Sequence, residues 1–148
     1  MTERFEKHII PWLFEWEGTT FEDDPDDPGG ATKFGIDQRS HKTVNIRELT
    51  ADRATEIYWD EYVGTGSADM PPPMDWIYFN ACVNCGPYRA EKLMVKSNGT
   101  PSGFLTAQKN FYIALVKTRP TSKKYLTGWI NRLNSLAQVT NVPWEISI

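Results

Sequence analysis

The stretch Glu17–Ile36, reading EGTTFEDDPDDPGGATKFGI, decides how the rest of the chain is read. Before it, within residues 3–17, Phe5, Ile9, Trp12, Leu13 and Trp16 recur at spacings of three and four, the period of one buried helix face. Pro11 acts there as a kink or as the effective start of the helix, and Gly18 ends it. Inside the stretch, Pro, Gly and Asp are too dense for a helix. Residues 18–36 therefore read as a small irregular lobe or a short hairpin flanked by Phe21 and Phe34. Five acids, Glu22, Asp23, Asp24, Asp26 and Asp27, follow Glu17 closely.

Beyond the stretch the pattern is again helical. Thr50 suits the N-cap of a helix over 51–63, where Ala54, Ile57, Tyr58, Glu61 and Tyr62 fall at helical period. The segment from Gly64 to Pro73, with three consecutive prolines, closes it. Four further helices are expected at 74–85, 87–97, 103–118 and 121–137, broken by Gly86-Pro87, by Asn98-Gly99-Thr100-Pro101 and by Pro120. No period-two run of convincing length and no internal repeat is present, so the fold class is mainly α, with one irregular lobe.

A chain of 148 residues with 40% hydrophobic and 13% aromatic residues fits a single domain with a real core. Most of its six tryptophans are expected in that core, although a flat indole also stacks well on a sugar ring. The net charge of −3 hides a split: residues 1–86 carry 7 basic against 17 acidic side chains, and residues 87–148 carry 9 against 2. The basic half suits an anionic polymer, while the acidic total argues against a nucleic-acid partner; two solvated faces are the plainer alternative. No run approaches a membrane span, and MTERFEKHIIPW lacks the apolar core of a secretory signal. The expectation is a protein with no stable membrane insertion, made in the cytoplasm and dependent on another factor for release or export.

The acids suggest chemistry. A glycosidic oxygen is a poor leaving group, so a carboxylic acid must protonate it while a second, ionised carboxylate stabilises the positive anomeric carbon or activates water. Glu17 ends a helix bearing Trp12, Leu13, Phe14 and Trp16, where partial desolvation would favour a protonated acid. The polar loop supplies candidates for the partner in Asp26, Asp24 and Asp27. Asp-Pro and Pro-Gly steps build turns, so most of the loop acids read as scaffold, and Gly29 and Gly30 as turn residues. A calcium loop fits poorly, because Asp24 as position one puts Gly35 where the bidentate Glu belongs. Cys82 and Cys85 form a CxxC, but with no second pair and only His8 and His41 elsewhere they read as buried or half-buried helix thiols. No metal and no cofactor are expected.

Glu17-Gly18, followed by Asp24-Pro25-Asp26-Asp27-Pro28-Gly29-Gly30-Ala31-Thr32-Lys33-Phe34-Gly35-Ile36, resembles the N-terminal signature of glycoside hydrolase family 108. The likeness extends through Leu49-Thr50, Ala54, Ile57-Tyr58, Tyr62, Phe79-Asn80-Ala81, Asn84 and Gly86, and more weakly through Phe111-Tyr112, Pro120, Tyr125-Leu126, Gly128-Trp129 and Asn131-Arg132. Gly18-Thr19 stands where the family usually has Gly-Gly, and Thr19 lacks the backbone freedom of glycine. The resemblance implies a lysozyme-like fold over 1–148, with the catalytic motif in 1–86 and a peptidoglycan-associated region in 87–148. It implies a phage-endolysin-like muramidase that cuts β-1,4 bonds between N-acetylmuramic acid and N-acetylglucosamine in peptidoglycan strands. The order Glu17, Asp26, Thr32 is similar to the Glu/Asp/Thr arrangement of phage-type lysozymes, which implies that Asp26 is the second carboxylate, that Thr32 positions the water and that the anomer inverts. Trp129, Asn131 and Arg132 are candidates for a glycan groove. A lytic transglycosylase on the same polymer, and a non-catalytic wall-binding or secretion-assisting protein, are the alternatives.

Overall fold

Pro11 shapes the first helix. The structure, a computed structural model, describes residues 1–144. A π-helical turn, Phe5–Ile9, leads into α1, Ile10–Glu17, and the Ile10 N–H reaches the Phe5 carbonyl in the wider spacing of that turn. Proline has no N–H and its ring crowds the preceding turn, so a widened turn ahead of it lets the helix continue. Residues 3–17 are thus helical as the spacing predicts, and Pro11 marks the start of the regular part. Gly18, at φ 80°, ends α1, with its N–H on the Phe14 carbonyl.

The chain divides into two units, the first covering residues 1–64. After α1 it runs without regular structure except for a two-stranded antiparallel hairpin, β1 (Thr32–Lys33) and β2 (Ile36–Asp37), in which Thr32 faces Asp37 and Lys33 faces Ile36. Glu22 adds a bridge to Thr32 through two backbone hydrogen bonds of 2.8 Å. The irregular lobe runs further than 18–36, to Thr50. Phe34, Ile36, Ile46 and Leu49 anchor it by burying their side chains. Phe34 does not flank the hairpin; it sits in the turn itself. That lobe gives way to α2, Ala51–Gly64, where the Thr50 hydroxyl accepts the Arg53 N–H at 3.1 Å as an N-cap should. Ala54, Ile57, Tyr58 and Tyr62 form its buried stripe, and the Phe5 ring packs on Trp59 and Tyr62 at 5.1 and 4.9 Å.

The second unit begins at Thr65. A short 3-10 turn, Ser67–Asp69, precedes α3, Met74–Cys85. Every residue from Met74 to Cys82 is buried, so α3 is a central helix that is covered on all sides. Full burial of a side chain such as Ile77 or Phe79 stabilises by about 1.5–3 kcal/mol. Around it lie α4 (Pro87–Lys96), α5 (Pro101–Thr118) and α6 (Leu126–Val139). α5 starts two residues earlier than the sequence predicts, because Pro101 serves as its first residue and Gly103 lets the Ser97 carbonyl approach. The stretch expected to open the last helix, from Thr121, belongs instead to a 3-10 turn, Pro120–Tyr125.

Trp12 and Trp76 are buried, whereas Trp16, Trp59, Trp129 and Trp144 are half-exposed. Cys82 is buried and Cys85 half-buried, and both thiols are free. Among the described residues no helix is long and apolar enough to cross a membrane.

Candidate active site

Glu17 takes its place from the end of α1 and from what the hairpin turn lays against it. The two central residues of that turn, Phe34 and Gly35, have φ of 56° and 78°, the left-handed pattern of a two-residue type I′ turn that suits the twist of its strands. A Cβ at Gly35 would stand 2.7 Å from Glu17 Oε2, 2.7 Å from the Tyr58 hydroxyl and 2.8 Å from Glu17 Cβ. Only glycine meets both demands, the positive φ and the close approach. Phe34 has a bulky side chain at an angle that such residues rarely adopt. Two contacts hold it: its ring lies 5.0 Å from that of Phe14, and its carbonyl accepts the buried Tyr58 hydroxyl at 2.7 Å.

The acidic loop sorts as its turn chemistry predicts. Asp24 Oδ1 accepts the Asp26 N–H at 2.9 Å, and Asp27 Oδ1 accepts the Gly29 N–H at 2.8 Å, each carboxylate closing a turn. Asp26 is exposed, and of these three its carboxylate is the one with no hydrogen bond among the described residues. Thr32 is half-buried in β1, with its hydroxyl 3.4 Å from the Gly30 carbonyl. Thr19 is not at positive φ; Gly18 alone of the pair needs that freedom.

A second polar cluster ties the hairpin to α2. His41 Nδ1 lies 3.1 Å from the Asp37 carbonyl, and its Nε2 lies 3.2 Å from Glu61 Oε1. Burial raises the Glu61 carboxyl above its ordinary value, against the lowering pull of His41. Gly29 leaves room for Asp37 Oδ2, 3.0 Å from where its Cβ would be. Neither this cluster nor the role of Tyr58 is visible in the sequence, where both are ordinary members of a loop and a helix face.

The three candidates on α6 have different surroundings. Trp129 is half-buried and stacks on Tyr112 at 4.8 Å with 22° between the planes. It lines a cavity of about 400 Å³ with Asn84, Cys85, Arg89, Phe111 and Arg119. Asn131 is exposed and outside that cavity. Arg132 is buried, and its Nε donates to Asn80 Oδ1 at 2.9 Å. The pairing fixes α6 to α3. Neither that cavity nor a larger groove beside it between α4 and α5, about 1120 Å³, is lined by Glu17, Asp26 or Thr32. Among the described residues, no three His, Cys, Asp or Glu side chains converge as a cation would require.

The fold is similar to that of Brucella abortus SagA, with a TM-score of 0.72 and 23% identity over 93% of each chain. None of the curated proteins matches in sequence. The sequence pattern of the family described as Glycosyl hydrolase 108 matches residues 10–86, more than half of the chain. Fold and match together define a mainly helical, lysozyme-like glycoside hydrolase. The chain belongs to glycosyl hydrolase family 108, which supports peptidoglycan as its substrate. Glu17, Asp26 and Thr32 lie inside the matched segment, and Trp129, Asn131 and Arg132 lie outside it.

Proposed function

We propose that the protein is an N-acetylmuramidase that hydrolyses the β-1,4 bond between N-acetylmuramic acid and N-acetylglucosamine with inversion. The observation that carries this reading is the placement of Glu17: a half-buried carboxyl at a helix end, fixed by the Gly35 turn, within the segment that matches the hydrolase family. In this reading Glu17 gives its proton to the glycosidic oxygen as the C–O bond breaks, and solvent restores it. Asp26 takes a proton from a water that adds to the anomeric carbon from the opposite face, and Thr32 orients that water. Asp24 and Asp27 support the assignment of Asp26 by elimination, since each already closes a turn.

The excess of basic residues in 87–148 supports retention on an anionic wall polymer, with Trp129 as a stacking platform. We further propose an endolysin-like setting, in which a holin-type partner or another export route brings the enzyme to the periplasm or wall. Mass analysis of digested peptidoglycan tests the reaction. Reducing-end N-acetylmuramic acid, released as the α-anomer in early NMR spectra, is the expected product. A 1,6-anhydro end makes the enzyme a lytic transglycosylase instead, and a β-anomer contradicts the water-activating role of Asp26.

A further inference from the structure

We infer that Tyr58 is a positioning residue for Glu17, acting by clamping the Phe34 carbonyl so that the Phe34–Gly35 turn stays pressed against the Glu17 side chain. The inference rests on the reading of Glu17 as the acid and adds a residue to it.

The geometry is compact. The Tyr58 hydroxyl and Glu17 Oε2 each lie 2.7 Å from a single point, the site of a Cβ on Gly35, so the two oxygens can be no further apart than twice that distance. Tyr58 is itself buried and cannot withdraw to solvent. Its hydroxyl donates to the Phe34 carbonyl at 2.7 Å, a buried hydrogen bond that crosses from α2 to the hairpin turn. That turn needs a clamp, because phenylalanine at φ 56° is held against its own preference by roughly 1–2 kcal/mol. Net stabilisation by one buried hydrogen bond is about the same, 0.5–1.5 kcal/mol. Without it, the peptide between Phe34 and Gly35 is freed to rotate, and the surface against which Glu17 rests moves.

A general acid must meet the glycosidic oxygen within a narrow range of distance, and a displacement of about 1 Å can cost up to about 100-fold in rate. Substrate binding depends on many more groups and is left alone. Tyr58 therefore separates the two kinetic constants. Removing only its hydroxyl, in Tyr58→Phe, keeps the ring that packs 6.3 Å from Phe14 and so keeps the core.

The test measures kcat and KM on soluble peptidoglycan fragments for the wild type, Tyr58→Phe and Glu17→Gln. It also records the side-chain carboxyl ¹³C resonance of Glu17 in wild type and Tyr58→Phe. The expected result is a kcat lower by about 10- to 100-fold, with KM within about twofold and a displaced or broadened Glu17 resonance. A Tyr58→Phe enzyme with wild-type kcat, or with its loss confined to KM, overturns the inference while Glu17→Gln is inactive. If Glu17→Gln stays active, the functional reading itself fails. The resonance then still decides whether Tyr58 positions the side chain, with an unmoved signal counting against it. Should Tyr58→Phe fold too weakly for kinetics at 25 °C, the resonance recorded at low temperature decides in the same way.

Discussion

Gly35→Ala concentrates the demands of the site into one methyl group. The new Cβ would stand 2.7 Å from two oxygens, Glu17 Oε2 and the Tyr58 hydroxyl, and 2.8 Å from Glu17 Cβ, so neighbours have to move. The backbone stays at φ 78°, which costs an L-residue about 1–2 kcal/mol, and forced displacement of packed groups adds about 1–3 kcal/mol. The expected destabilisation is thus about 2–5 kcal/mol. Gly66→Ala is the control, since Gly66 has φ 81° with nothing within 4 Å of its would-be Cβ; it should lose only the backbone share, about 1–2 kcal/mol. Urea unfolding followed by tryptophan fluorescence gives both values, and kcat on peptidoglycan fragments completes the comparison. Gly35→Ala should lose at least about tenfold in kcat, and Gly66→Ala should lose none. Equal stabilities for the two variants, with kcat unchanged in Gly35→Ala, would refute the claim that the hairpin turn holds Glu17.

Two further outcomes are expected. Arg132→Ala leaves Asn80 Oδ1 buried without its donor and should destabilise by about 1.5–3 kcal/mol, lowering Tm by about 3–12 °C in a calorimetric scan. Glycan affinity per folded molecule should not change, and a selective loss of binding would place Arg132 in the groove after all. Burial pushes the Cys82 thiol from 9.0 up to about 11, so the stability tied to its neutral form is complete below pH 9 and is lost as pH rises through about 11. Iodoacetamide at pH 8 should therefore spare Cys82 in the native protein and label it in urea, read by peptide mass; labelling at the rate of a free thiol contradicts the burial.

Much of the helical plan was legible because its breaks have local chemistry. Thr50 caps α2, Gly86 and Pro87 separate α3 from α4, and Gly18 stops α1, each by a preference confined to a few neighbouring residues. What was not legible depends on contacts distant in sequence or on geometry that the residue type disfavours. Phe-Gly is a weak signal for a type I′ turn, so the hairpin was expected to be flanked by Phe34 rather than turned by it. Nothing near Arg132 announces Asn80, 52 residues earlier, and a basic residue in the basic half of the chain reads as surface until its partner is seen. In the same way Tyr58 carries only the period of a core position. Its hydroxyl has a meaning once Phe34, 24 residues away, is beside it. The motif singled out Glu17 as a candidate and most of the loop acids as scaffold without saying which, whereas the groups packed against Glu17 were not visible in it.

The central claim is that Glu17 is the acid that protonates the leaving glycosidic oxygen. Glu17→Gln keeps the size and hydrogen-bonding reach of the side chain but removes the transferable proton, so it separates chemistry from folding. Turnover of purified peptidoglycan fragments by folded Glu17→Gln, with its near-UV circular dichroism unchanged, is the direct measurement. The expected result is a kcat lower by at least about 100-fold with Tm close to that of the wild type. Wild-type turnover by that variant would contradict it.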